Sequence, residues 1–244
     1  MIHNMIYNSI LDLSGRQKML ALLIDPDETA SDKLPLLLKY ADNVGISIIL
    51  VGGSLVNQPV GSFISAIREF SSLPVVIFPG NPSQLSDKAD GLLFLSLISG
   101  RNPDFLIGNH VIAAQFLKNS SLEVIPTGYM LIENGSTSSV EYMSNTRPLP
   151  RNKPDLAVST AIAGELLGLK LIYMEGGSGA AGIISPDLIG AVKKSISIPL
   201  IVGGGIQNAG DLKRVFDAGA DMAVIGNAVQ HNPGKLKEFA ALLK

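Results

Sequence analysis

The sequence predicts a single α/β domain, a (β/α)8 barrel modified by one helix-poor connection after its third strand, and three observations predict it. Eight short apolar runs recur along the chain, stretches of helical spacing separate most of them, and 244 residues is close to the usual length of one such barrel. Two smaller domains would need a linker, and no stretch reads as one, so the expected domain is residues 1–244.

The apolar runs lie at residues 19–24, 46–51, 75–78, 92–95, 123–125 with an extension toward 131, 170–174, 199–202 and 222–225. Each has strand length and is bounded by turn residues, the pattern of a parallel strand buried on both faces. Helical spacing appears at 33–42, 60–70, 105–118, 159–167, 186–194 and 209–218. Two connections depart from this alternation. Residues 79–90 carry Pro79 and Pro82 and leave hardly any room for a covering helix, so the barrel wall is expected to be thin there. Residues 133–153 form a long polar insertion after the fifth strand, with Asn134-Gly135-Ser136-Thr137-Ser138-Ser139 followed by Arg147-Pro148-Leu149-Pro150-Arg151. Such a loop on the C-terminal face of a barrel covers a site, mediates contacts or is simply solvated.

Composition narrows the function. Hydrophobic residues make up 46% of the chain and charged ones 16%, enough for a large core and too little polarity for disorder. A net charge of −2 with scattered basic residues argues against a nucleic-acid surface. The absence of cysteine excludes disulfides, thiolate zinc sites and a Cys nucleophile. The start, residues 1–13, has no basic segment leading into an apolar run, and no stretch approaches the roughly 20 apolar residues of a membrane span, so a cytoplasmic protein is expected.

Three glycine clusters follow the last three runs: Glu175-Gly176-Gly177-Ser178-Gly179-Ala180, Gly203-Gly204-Gly205-Ile206 and Gly226-Asn227-Ala228. Glycine lets backbone N–H groups approach an anion without a Cβ in the way, and in these barrels the loops after strands seven and eight commonly hold a phosphate. The same glycines also serve as tight strand-to-helix turns. At the end of the first run, Leu22-Leu23-Ile24-Asp25-Pro26-Asp27-Glu28 places carboxylates on the face where barrel chemistry occurs, and Val51-Gly52-Gly53-Ser54 adds a hydroxyl to the same rim. Asp25 and Ser54 suit Mg²⁺, which takes oxygen ligands and is completed by water and substrate phosphates; a turn or helix cap is the plainer role. Glu175 is placed to accept a proton or hold a substrate hydroxyl, or else to make an ion pair across the rim. Tyr129 and Tyr173 donate hydrogen bonds or pack as core rings. His110 is expected to cap or to face solvent, His3 and His231 lie near the ends, and no histidine spacing supports zinc.

Taken together, Leu23-Ile24-Asp25-Pro26-Asp27, Val51-Gly52-Gly53-Ser54, Phe78-Pro79-Gly80, Asn102-Pro103 with Gly108-Asn109-His110, Tyr173-Met174-Glu175-Gly176-Gly177-Ser178-Gly179-Ala180 and Val202-Gly203-Gly204-Gly205-Ile206 resemble the geranylgeranylglyceryl phosphate synthase family over nearly the whole chain. The resemblance implies transfer of a prenyl group from a polyprenyl diphosphate, geranylgeranyl by family default, to the C3 hydroxyl of sn-glycerol 1-phosphate. It implies Mg²⁺ at Asp25 and Ser54, and a glycerol phosphate site built from Tyr173, Glu175, Gly176, Gly177, Ser178, Gly179, Gly204, Gly205, Gly226 and Asn227. It makes Glu175 the group that orients or deprotonates the hydroxyl and gives the thin wall a purpose, a path for the isoprenoid tail. A homo-oligomer with peripheral membrane contact is also implied. Some bacterial relatives carry a lysine two residues before the aspartate, where this chain has Leu23. Two rival readings remain, a sugar-phosphate isomerase or aldolase, poorly served without a lysine at a strand end, and a non-catalytic glycerol phosphate binder.

Overall fold

In the computed structural model, which describes residues 5–30, 32–135, 137–230 and 232–243, eight parallel strands close into a barrel in sequence order. They are β1 (Met19–Ile24), β2 (Ile48–Val51), β3 (Val75–Ile77), β4 (Gly91–Leu97), β5 (Glu123–Leu131), β6 (Leu171–Glu175), β7 (Leu200–Gly203) and β8 (Met222–Ile225). The last pairs with the first through Met19 opposite Met222 and Leu22 opposite Ile225. The fifth run takes its longer form because β4 also extends to Leu97 and pairs with it along its full length. The helices that cover the barrel are α2 (Leu34–Val44), α3 (Val60–Arg68), α4 (Asn109–Asn119), α6 (Pro154–Leu166), α7 (Pro186–Ser195) and α8 (Ala209–Asp217).

Alternation along each strand divides the core in two. Leu20, Leu22, Ile49, Val51, Ile172, Met174 and Val202 pack outward against the helices. Met19, Ala21, Ile48, Leu50, Leu171, Tyr173, Ile201, Met222 and Val224 fill the barrel interior. This parity decides which side chains reach the C-terminal mouth from inside. Asp25 continues the inward series of β1, Glu175 that of β6 and Gly226 that of β8.

The bottom of the barrel is closed by α1 (Met5–Leu13), a helix the apolar runs did not reveal. Ile6 and Ile10 insert into the interior core. The N–H groups of Ile6 and Tyr7, unpaired within the first turn of the helix, donate to the Glu123 carboxylate at 2.7 Å each, a carboxylate placed where the helix dipole favours it.

Two features shape the top. As expected, β3 and β4 are joined by only a single 3-10 turn, Pro82–Gln84, capped by Asn81 accepting from Ser83 N–H. Gln84 is buried and ties this connection down, donating to Gly53 O at 2.8 Å while Gly80 N–H donates to its side chain. The insertion after β5 is not irregular throughout. It holds α5 (Ser139–Ser144), capped by Ser138, and returns along β5 through a bridge between Ile132 and Leu149. The helical spacing predicted at 105–118 begins as a π turn, Asp104–Gly108, and becomes α-helical only in α4. After β8 come α9 (Asn227–Gln230), a 3-10 turn at Pro233–Lys235 and α10 (Leu236–Ala240), which packs on α2. His3, His231 and Ser136 lie outside the described residues.

Candidate active site

At the C-terminal mouth, Asp25, Ser54, Tyr173, Glu175, Gly177, Ser178, Gly179, Gly204, Gly205, Gly226 and Asn227 line one cavity of about 610 Å³. Of the residues predicted for the site, only Gly176 is not brought to this cavity. It sits in the turn after β6 with its N–H spent on Gly203 O at 2.9 Å.

Glu175 ends β6 inside the barrel, buried at 7% exposure. It makes no ion pair with any described Lys or Arg, which removes the rim salt bridge as its role. Desolvation raises its pKa from 4.5 to about 7, opposed by the Gly177 N–H that donates to Oε1 at 2.6 Å. A carboxylate held near 7 exchanges protons readily at neutral pH. Beneath it, Phe78, Tyr129 and Tyr173 cluster with centroids 5.2 to 5.8 Å apart, Phe78 stacked on Tyr173 and Tyr129 tilted against both. Burial and the nearby Glu175 charge push both tyrosines well above their ordinary pKa, so they stay protonated. The Tyr173 hydroxyl lies buried against the Glu175 carboxylate and helps hold that pKa below what burial alone would give, but it makes no regular hydrogen bond there. A hydroxyl held this loosely can turn to a ligand.

The glycine clusters form the wall beside Glu175. Gly177, Gly204 and Gly205 hold φ of +96°, +84° and +72°, a region that side chains resist. A Cβ on Gly204 would press on Oε1 of Glu175 and on the N–H groups of Gly176 and Gly177, and one on Gly205 would overlap Gly182 O. These glycines therefore do more than turn the chain, since they let two loops approach each other. Asn227 Nδ2 donates to Ser178 Oγ at 3.2 Å, tying the loop after β8 to the loop after β6.

Across the cavity, Asp25 keeps part of the turn role anticipated for it, accepting from Asp27 N–H at 2.9 Å. Asp27 faces away and accepts from the backbone of Asn57 and Gln58, locking the loops after β1 and β2 together. Burial raises the Asp25 pKa, and the charges of Glu28 and Asp27 raise it further. The absence of a glycine side chain at Gly53 gives the carboxylate its room. Asp25 thus has no cation among the described protein groups, while Ser54 and Glu28 line the same cavity. Among the described residues no three-carboxylate or histidine cluster exists. One carboxylate, a hydroxyl and open space fit a hard cation whose shell is completed by water and phosphate oxygens, and do not fit zinc.

Where the wall lacks a helix, an apolar trough opens, lined by Pro79, Leu85, Leu92, Phe94, Leu95, Phe105, Ala113 and Met143. It shares Ser54, Phe78, Tyr129 and Val140 with the polar cavity, so the two meet at the aromatic cluster. Val140 and Met143 come from α5, which gives the insertion a lid's position over both. His110, expected to cap or face solvent, is instead buried against the Phe94 ring at 4.4 Å, with its Nε2 3.0 Å from Ser96 Oγ. Desolvation lowers its pKa, keeping it neutral in the trough. Sequence reasoning missed Gln230, Asn232 and Lys235 at the rim, which come from the segment after β8 and carry no motif.

A phosphate-type glycine cup, a buried carboxylate near neutrality and an apolar trough through a breached wall define a barrel enzyme for one phosphorylated and one long apolar substrate. Comparison with known proteins agrees. The PcrB family matches residues 14–243, and the chain belongs to that family. It is 48% identical over 233 residues to the geranylgeranylglyceryl phosphate synthase of Spirosoma linguale, covering 95% of this chain and 93% of that one. With the Pyrococcus abyssi synthase it shares 39% identity over 221 residues, 90% of this chain and 87% of the other. The crystal structure of (S)-3-O-geranylgeranylglyceryl phosphate synthase from Thermoplasma acidophilum, in complex with sn-glycerol-1-phosphate, matches with a TM-score of 0.91 at 30% identity over 98% of both chains.

Proposed function

We propose that this protein is a prenyltransferase of the geranylgeranylglyceryl phosphate synthase type, joining a polyprenyl diphosphate to the C3 hydroxyl of sn-glycerol 1-phosphate with release of diphosphate. The observation that carries this reading is the junction of polar cavity and apolar trough at Ser54, Phe78 and Tyr129, with Glu175 lining the polar side. Geranylgeranyl is the chain we assign. The glycine loops around Gly177, Gly204, Gly205 and Gly226, with Asn227, hold the phosphate of glycerol phosphate. Glu175 accepts the hydrogen of the C3 hydroxyl and takes its proton as the ether bond forms, and Tyr173 donates to the same substrate. The trough holds the tail dry, and the Phe78 and Tyr129 rings flank the allylic carbon, where an aromatic face favours developing positive charge.

Asp25 and Ser54 are the residues that would hold Mg²⁺, which neutralises a diphosphate leaving group when bound. The same reading includes a cytoplasmic, homo-oligomeric enzyme that meets membranes peripherally. Among the described residues no helix is long and apolar enough to cross one.

The test is incubation with labelled sn-glycerol 1-phosphate, Mg²⁺ and a ladder of prenyl diphosphates, following label into organic solvent. Extractable product is expected from the wild type and a loss of at least about 100-fold in Asp25→Ala, since a cation clamp on a leaving group is worth several kcal/mol. No product from any chain length, with glycerol phosphate binding intact, would leave the binder reading in its place.

A further inference from the structure

The polar cavity has an unbalanced charge. Its walls carry the carboxylates of Asp25, Glu28 and Glu175, yet both proposed substrates are anions. Among the described residues lining it, a single side chain is cationic, Lys235. It lies in the 3-10 turn Pro233–Lys235, held from both sides. Upstream, Gln230 Nε2 donates to Leu23 O at 3.2 Å, pinning the segment over the end of β1. Downstream, Leu236 and Phe239 are fully buried. Lys235 is half-buried and forms no ion pair with the described acids, although Glu28 lines the same cavity. The nearby Lys237 is occupied elsewhere, over the Tyr40 ring at 5.2 Å.

We propose that Lys235 is a substrate-binding residue, the protein's own cation for phosphoryl oxygens in this cavity. The assignment rests on the prenyltransferase reading for the identity of the anions. A lysine ammonium on a flexible stem acts as a mobile point charge and needs no fixed fork geometry, which suits a cavity that must take in one phosphorylated substrate and release diphosphate. It follows Gly226 and Asn227 in the chain, in a segment that Gln230 pins to the end of β1, and it lines the cavity that holds both the glycine loops and Asp25. The phosphoryl group it meets is either that of glycerol phosphate or that of the diphosphate.

Binding of sn-glycerol 1-phosphate and of inorganic pyrophosphate with Mg²⁺, each measured by calorimetry without turnover, separates the two. Lys235→Met and Lys235→Gln remove the charge and keep most of the stem, and their melting temperatures are checked against the wild type. A charge-assisted contact predicts a weakening of about 10-fold to 100-fold for one or both anions in both variants. Lys235→Arg should stay within about 3-fold, and the difference between wild type and variants should shrink at high salt. Weakened glycerol phosphate binding assigns Lys235 to the cup, and weakened pyrophosphate binding assigns it to the leaving group. Affinities equal to wild type for both anions would overturn the proposal. Wild-type protein that binds both anions but forms no ether product would overturn the prenyltransferase reading and leave the role of Lys235 standing.

Discussion

Replacing Glu175 with Gln should make the free protein more stable at alkaline pH and nearly inactive. The gap between an ordinary Glu at 4.5 and Glu175 at about 7 corresponds to about 3 kcal/mol at about 1.4 kcal/mol per pH unit. The sign follows from proton counting. Between those values the folded protein holds a proton that the unfolded chain has released, so stability falls as pH rises from about 4.5 to about 7 and is level above that. Gln is neutral throughout and its side-chain oxygen still accepts from Gly177 N–H. Wild type and Glu175→Gln should therefore melt within a degree or so of each other at pH 4. At pH 8 the variant should melt about 5–10 °C higher for a chain of this length. Its turnover should fall about 10²-fold to 10⁴-fold, the usual worth of a positioned base, and wild-type activity should rise through about pH 7 as the carboxylate ionises. Calorimetric melts of the ligand-free protein and initial rates across pH 5–9 measure both. A melting difference independent of pH, or wild-type turnover in the variant, would refute the assignment of a buried, proton-accepting Glu175.

The remaining predictions concern the cup and the trough. Gly205→Ala imposes a side chain at φ +72° and drives its Cβ into Gly182 O, so the loops after β6 and β7 must separate. Glycerol phosphate affinity should drop at least about 10-fold by calorimetry, with the left-handed backbone alone costing about 1–2 kcal/mol of stability. Ala113→Phe puts a ring into the trough from α4. Turnover of the C20 diphosphate should fall about 10-fold or more relative to the C10 diphosphate in steady-state assays. Glycerol phosphate binding should be unchanged and the melting temperature lowered by the overpacking cost of about 1–3 kcal/mol.

The strands were legible because a strand buried on both faces must be apolar along its length. β1 and β8 begin and end where the apolar runs do, and the inward positions of Asp25 and Glu175 then follow from alternation. The glycine clusters were legible because left-handed backbone at Gly177, Gly204 and Gly205 leaves a compositional trace. What stayed hidden depends on partners distant in the chain. The seat of α1 is made by Glu123, more than a hundred residues away, and the short α5 lies inside a Ser- and Thr-rich segment that reads as loop. His110 follows polar Asn109 in sequence, yet the helix turns it toward Phe94 and Ser96. Gly176 looked equal to its neighbours in the cluster, but its N–H had been claimed by Gly203. Lys235 belongs to no motif and becomes notable only when the cavity's lining is seen to hold three carboxylates and, among the described residues, one cation.

The central claim is that the polar cavity and the apolar trough are two halves of one site that meet beside Glu175. A crystal structure of the protein with Mg²⁺, sn-glycerol 1-phosphate and a non-reactive geranylgeranyl thiodiphosphate tests it most directly. The account predicts the glycerol phosphate against the loops of Gly177, Gly204, Gly205 and Gly226, its C3 hydroxyl on the Glu175 carboxylate, and the tail passing Phe78 and Tyr129 toward Ala113. A tail bound on another face, or a C3 hydroxyl turned away from Glu175, would contradict it.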